Sequence, residues 1–83
     1  SFKGRKMDPF LTQIDPLPEG KDHAKNTHDG QEFNYVIEGS MELTIGNKVM
    51  RLEVGDSIYF DAQQPHCMKA LDGKPVKFLA IIV

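Results

Sequence analysis

From Phe33 to Val83 the chain is a series of short runs rich in β-branched and aromatic residues, and every gap between them holds a residue suited to a turn. The runs are Phe33 to Glu38, Met41 to Ile45, Lys48 to Leu52, Ser57 to Phe60, His66 to Leu71 and Val76 to Val83. The gaps contain Gly39, Gly46-Asn47, Gly55, Pro65 and Gly73. Glycine supplies positive φ and proline fixes φ, so such gaps read as turns rather than as pauses in a helix. No stretch keeps a 3.6-residue period for three turns. Upstream, Pro9, Pro16 and Pro18 leave room only for a short edge strand over Phe10 to Ile14. The prediction is an all-β domain.

So many short strands in 83 residues call for a small barrel or a two-sheet sandwich, because these close or cover exposed sheet edges. Gly46-Asn47 between two alternating runs predicts a two-residue hairpin, with glycine at the positive-φ position of a type II′ turn. Strand parity sorts the side chains. Met41, Leu43 and Ile45 share one face, and Met50, Leu52 and Val54 are expected in the core. Phe33, Tyr35 and Ile37 oppose Glu32, Asn34 and Val36, and neither set reads as plainly solvent-facing. The last run is apolar on both sides, which predicts an outer face covered by a second copy of the domain. A homodimer is therefore expected.

A chain of this length buries only about 60 to 65% of its unfolded surface, so a metal or a partner would add needed stability. Charged residues make up 27% and hydrophobic ones 40%, an ordinary globular balance. The formal net charge is -2 and the lysines and arginines are scattered, which argues against direct nucleic-acid binding by this segment. No apolar run approaches the ~18 residues that span a bilayer. A single cysteine, Cys67, and the lack of a signal-peptide pattern fit a reducing, cytoplasmic setting. The start at Ser1-Phe2-Lys3, without methionine, is expected of a domain cut from a larger parent.

Chemistry-bearing residues gather in one stretch, Asn26-Thr27-His28-Asp29-Gly30-Gln31-Glu32. His28 and Glu32 offer an imidazole nitrogen and a carboxylate oxygen, separated by a glycine-containing turn that can aim both at one point. His66, remote in sequence, opens another strand. Two histidines and one carboxylate would leave coordination positions open, as Fe(II) or a catalytic type of zinc site requires. Taken singly, such histidines are more often solvated or hydrogen-bonded loop and strand-start side chains than ligands. His23 is expected to be a solvated loop residue, and Cys67 a buried or interface thiol. No nucleophilic triad and no phosphate loop is present.

The spacing Gly20-x5-Asn26-x-His28-x3-Glu32-x6-Gly39 resembles the first motif of the cupin superfamily, with Asn26 where the family has histidine. Gly55-x5-Asp61-x-Gln63-x2-His66-x3-Ala70 resembles the second, with Asp61, Gln63 and Ala70 replacing its proline, glycine and asparagine. HDGQEFNYVIEG, LEVGDSIYFDA and QPH are similar to the small cupin domains that follow a helix-turn-helix in bacterial regulators. The resemblance implies one domain over residues 1–83: a lead-in with an edge strand over 1–19, motif one over 20–39 and motif two over 55–70. It implies a double-stranded β-helix, the cupin jelly-roll barrel. It makes His28, Glu32 and His66 the metal ligands, with Asn26 at the altered fourth position, for a divalent transition metal such as Zn, Ni, Fe or Mn. Asn34, Met68 and Gln64 are expected near a ligand pocket. The implied function is a metal- or small-molecule-binding sensory module of a larger regulator or enzyme. The alternatives are a metal-dependent dioxygenase or isomerase using His28, Glu32 and His66, and a dimerisation block with a disused pocket.

Overall fold

The computed structural model describes residues 4, 6–18, 20, 21 and 23–83. Ser1 to Lys3, the start that lacks methionine, lie outside the described residues. Seven strands follow one another: β1 (Asp8–Ile14), β2 (Gln31–Glu38), β3 (Met41–Ile45), β4 (Lys48–Leu52), β5 (Ser57–Asp61), β6 (His66–Ala70) and β7 (Val76–Ile82). Among the described residues no helix is long and apolar enough to cross a membrane.

The strands form two antiparallel sheets, one in the order β1-β7-β2-β5 and the other β4-β3-β6. Their inner faces supply the core, in which Val36, Met41, Leu43 and Val76 have no exposed surface. Phe60, Phe78, Leu52, Ala70 and Ala80 complete it. The alternation in β3 is complete, with Met41, Leu43 and Ile45 buried and Glu42 and Thr44 only partly so.

The hairpin at Gly46-Asn47 forms as its sequence predicts. Ile45 pairs with Lys48 across a two-residue loop, and Gly46 takes a φ of 57°. One core expectation fails: Val54 is 60% exposed. The parity that buries Leu52 stops where β4 ends, and Val54 sits in the turn before Gly55, whose φ is 91°.

The outer face of the larger sheet carries apolar residues at its centre, with Gln13, Lys77, Gln31 and Asp61 around them. Its register sets Pro9, Ile81, Phe33 and Tyr59 in one row across four strands, and Leu11, Leu79, Tyr35 and Ser57 in the next. Leu11 is 73% exposed and Tyr59 63%. Tyr35 belongs to this outer face, opposite Glu32, Asn34 and Val36.

Candidate metal centre

The site lies at the end of the sandwich where β2 and β6 begin. His28 is delivered by the loop before β2, Glu32 by the second residue of β2, and His66 by the first residue of β6. Backbone bonds fix each segment. His28 N–H donates to the Ala62 carbonyl at 3.0 Å, which ties the loop to the end of β5. Asn26 and His66 exchange backbone bonds of 2.8 and 3.0 Å, an isolated bridge that extends the pairing beside β6.

Gly30 makes the turn between the first two ligand candidates. Its φ is 91°, and a Cβ there would fall 2.0 Å from the Val83 carbonyl oxygen. Only glycine lets the chain pass so close to the end of β7 and still bring His28 and Glu32 to one side.

The three side chains converge: one ligand atom from each of His28, Glu32 and His66 lies within 4.8 Å of the others. His28 Nε2 is 3.0 Å and His66 Nε2 3.7 Å from Glu32 Oε1. The rings meet edge-on, their centroids 5.2 Å apart, and Phe60 packs edge-on against His66 at 5.0 Å. Glu32 and His66 are buried, and His28 is half-buried.

The remaining nitrogens decide what this focus can hold. His66 Nδ1 is 2.8 Å from the Gln64 carbonyl, and His28 Nδ1 is 3.2 Å from the Asp29 carbonyl. A carbonyl only accepts, so each Nδ1 donates there, which leaves each Nε2 as the atom that a cation beside Glu32 Oε1 would engage. Two Nε2 atoms and a carboxylate oxygen around one point form a donor set suited to a divalent cation.

A cavity of about 680 Å³ opens over this point. Its wall is largely apolar, with Phe10 and Ile14 of β1, Met68 of β6, and Phe78 and Ile82 of β7, while Thr12, Asn26 and Thr27 add polar groups. Of the remaining expected site residues, Asn26 is exposed and lines this cavity. Gln64 is exposed, and its contact with His66 is through the backbone. Asn34 has no exposed surface and lies beside Glu32, with its Nδ2 donating to Glu32 Oε2 at 3.0 Å.

His23 departs from its expected solvated state. It is half-buried and lines the cavity, and its Nε2 is buried with no hydrogen-bond partner among the described residues. The irregular segment that carries it has no parity from which this could be read. Cys67 is a free, partly buried thiol that also borders the cavity.

The family model described as Cupin domain matches residues 14–82, and the chain belongs to the cupin family. No curated protein matches it in sequence. Among solved structures, iron(II) HppE in complex with substrate is 28% identical with a TM-score of 0.81, over 93% of this chain and 45% of that one. The hydroxypropylphosphonic acid epoxidase from S. wedmorenis is 25% identical with a TM-score of 0.80, over 93% and 43%. An HTH_3 family transcriptional regulator from Vibrio cholerae is 21% identical with a TM-score of 0.77, over 93% and 42%, a likeness of fold. The chain spans less than half the length of these three proteins.

Proposed function

We propose that this cupin domain binds one divalent transition metal, of the Zn, Ni, Fe or Mn type, through His28, Glu32 and His66. A small molecule then enters the cavity above it, and the domain serves as the sensory part of a larger cytoplasmic regulator or enzyme. The observation that carries the reading is the convergence of two Nε2 atoms and Glu32 Oε1, with both Nδ1 atoms committed to backbone carbonyls. When bound, the metal supplies a Lewis acid with open positions.

The protein's own part is to orient and to exclude water. His66 is held by the Gln64 carbonyl and by Phe60. The apolar wall of Phe10, Ile14, Met68, Phe78 and Ile82 favours a ligand with a polar, coordinating end and an apolar body. A sensor needs only different affinities for its ligand in two states of its parent, so this cavity suffices. Nucleic-acid contact is left to another part of the parent, and the apolar outer face of β1, β7, β2 and β5 fits a homodimer.

The test is elemental analysis of the purified domain beside its His28→Ala, Glu32→Ala and His66→Ala variants, without chelators. Near one equivalent of a single transition metal, lost in all three variants, is expected. No metal after incubation with Fe(II), Ni(II) and Zn(II) would sink the reading.

A second reading, a metal-dependent enzyme of dioxygenase or isomerase type, is favoured by the 28% identity to iron(II) HppE. Metabolite turnover that disappears in His66→Ala would promote it over the sensor.

A further inference from the structure

Asn34 is a polar side chain where the fold calls for an apolar one. It faces inward from β2 between Ile58 of β5 and Ala80 of β7, and it has no exposed surface. Its Oδ1 is buried with no hydrogen-bond partner among the described residues. A buried, half-satisfied amide is costly, so something must offset it.

What the amide does is divide the carboxylate of Glu32. Asn34 Nδ2 donates to Oε2 at 3.0 Å, while Oε1 faces His28 Nε2 at 3.0 Å and His66 Nε2 at 3.7 Å. The amide orientation follows from chemistry, since Oδ1 turned toward Glu32 would set acceptor against acceptor. Rotating the carboxylate to present both oxygens would break this bond and leave both ends of the Asn34 amide unsatisfied in the core.

We infer that Asn34 is a positioning residue that holds Glu32 as a one-oxygen metal ligand, keeping free the coordination position that a second oxygen would take. The inference rests on the metal-binding reading above. It gives the buried amide a purpose: Oε2 is kept out of the ligand focus, and the small molecule gains the position.

The experiment uses Co(II) as the probe and compares the unaltered domain with Asn34→Leu, which keeps the branched shape and removes the donor. Asn34→Ala, which adds no bulk, is the second variant should the first fail to fold. The expected result is a fall in Co(II) affinity of about 10- to 100-fold. Weaker visible Co(II) bands should accompany it, because their intensity drops as coordination number rises. Affinity within twofold of the unaltered domain and superimposable spectra would overturn the inference. So would a fall in affinity with an unchanged spectrum, which is general loosening of the site. If the unaltered domain binds no Co(II), the metal-binding reading fails and takes this inference with it. If it binds and both variants match it, only the role of Asn34 fails.

Discussion

His66 turns its Nδ1 onto the carbonyl oxygen of Gln64 at 2.8 Å, and this bond decides which nitrogen is offered to the cavity. The acceptor is backbone, placed by the loop that ends at Pro65, so no side-chain change in the loop removes it. The ring itself is the sensitive element. His66→Ala deletes a buried donor and should lower affinity for Zn(II) or Co(II) by roughly 100-fold or more. Competition with a chromophoric chelator measures it, and affinity within threefold of the unaltered domain would show that His66 is not a ligand.

Metal should also stabilise the fold. The folded chain gathers donors from the loop before β2, from β2 and from β6, a set the unfolded chain does not hold together. At free metal about 100-fold above Kd, linkage adds about 2.7 kcal/mol. For a domain of this size that corresponds to a rise in Tm on the order of 10–20 °C. Thermal unfolding with and without chelator reads it. A Tm indifferent to metal would place binding outside the folded site.

Gly30 is the backbone element of the same site. With φ at 91° and a Cβ position 2.0 Å from the Val83 carbonyl oxygen, alanine cannot be accepted without movement of β7 or of the ligand loop. Gly30→Ala should cost at least about 1–3 kcal/mol of stability. It should weaken metal binding as well, because the displaced turn separates His28 from Glu32. Gly46→Ala is the control: it also has positive φ, but open space lies around its Cβ, so it should lose stability without losing metal affinity.

The parts of this molecule that were legible in the sequence are those set by local chemistry. Alternation in Met41 to Ile45 and the Gly46-Asn47 turn predict β3, β4 and their register. Parity misleads at Val54, because alternation says nothing once the strand has ended. The convergence of His28, Glu32 and His66 is long-range. Residue types alone left a metal centre and solvated side chains both open, and motif spacing supplied the choice. The parity Asn34 shares with Glu32 predicts a pocket neighbour, yet its bond to Oε2 is a matter of rotamer and packing that no spacing encodes. His23 and the β1 residues of the cavity wall carry no motif.

A surface cluster at the far side predicts a pH response. The Ser40 hydroxyl donates to Glu53 Oε2 at 2.5 Å, and Arg51 bonds both Glu53 and Asp72. The Ser40 bond first, and then Arg51, hold the Glu53 carboxyl below its ordinary 4.5. A carboxyl lowered in the folded state stabilises the fold above the unfolded value, and that contribution is lost as pH falls through the folded one. The Tm advantage of the unaltered domain over Glu53→Gln should be constant above about pH 5 and shrink below pH 4.5. The exposed position of Glu53 keeps the effect small. A difference that grows on acidification would contradict the assignment.

The outer face of the larger sheet gives the last prediction. Leu11, Leu79 and Tyr35 are register neighbours on β1, β7 and β2, and Ile81 and Phe33 flank them in the adjacent row. A partly exposed apolar patch of this kind, running across three strands, fits the core of an interface between two copies, where large apolar and aromatic side chains carry most of the energy. A glutamate in the middle of it would be buried without a partner on both sides of the two-fold. Tyr35→Glu should therefore weaken association by at least about 30-fold while leaving metal binding intact, since Tyr35 points away from Glu32. Sedimentation equilibrium at micromolar concentration measures it. An unaltered domain that is already monomeric there would leave this face without a second copy to bind, and the homodimer would be withdrawn.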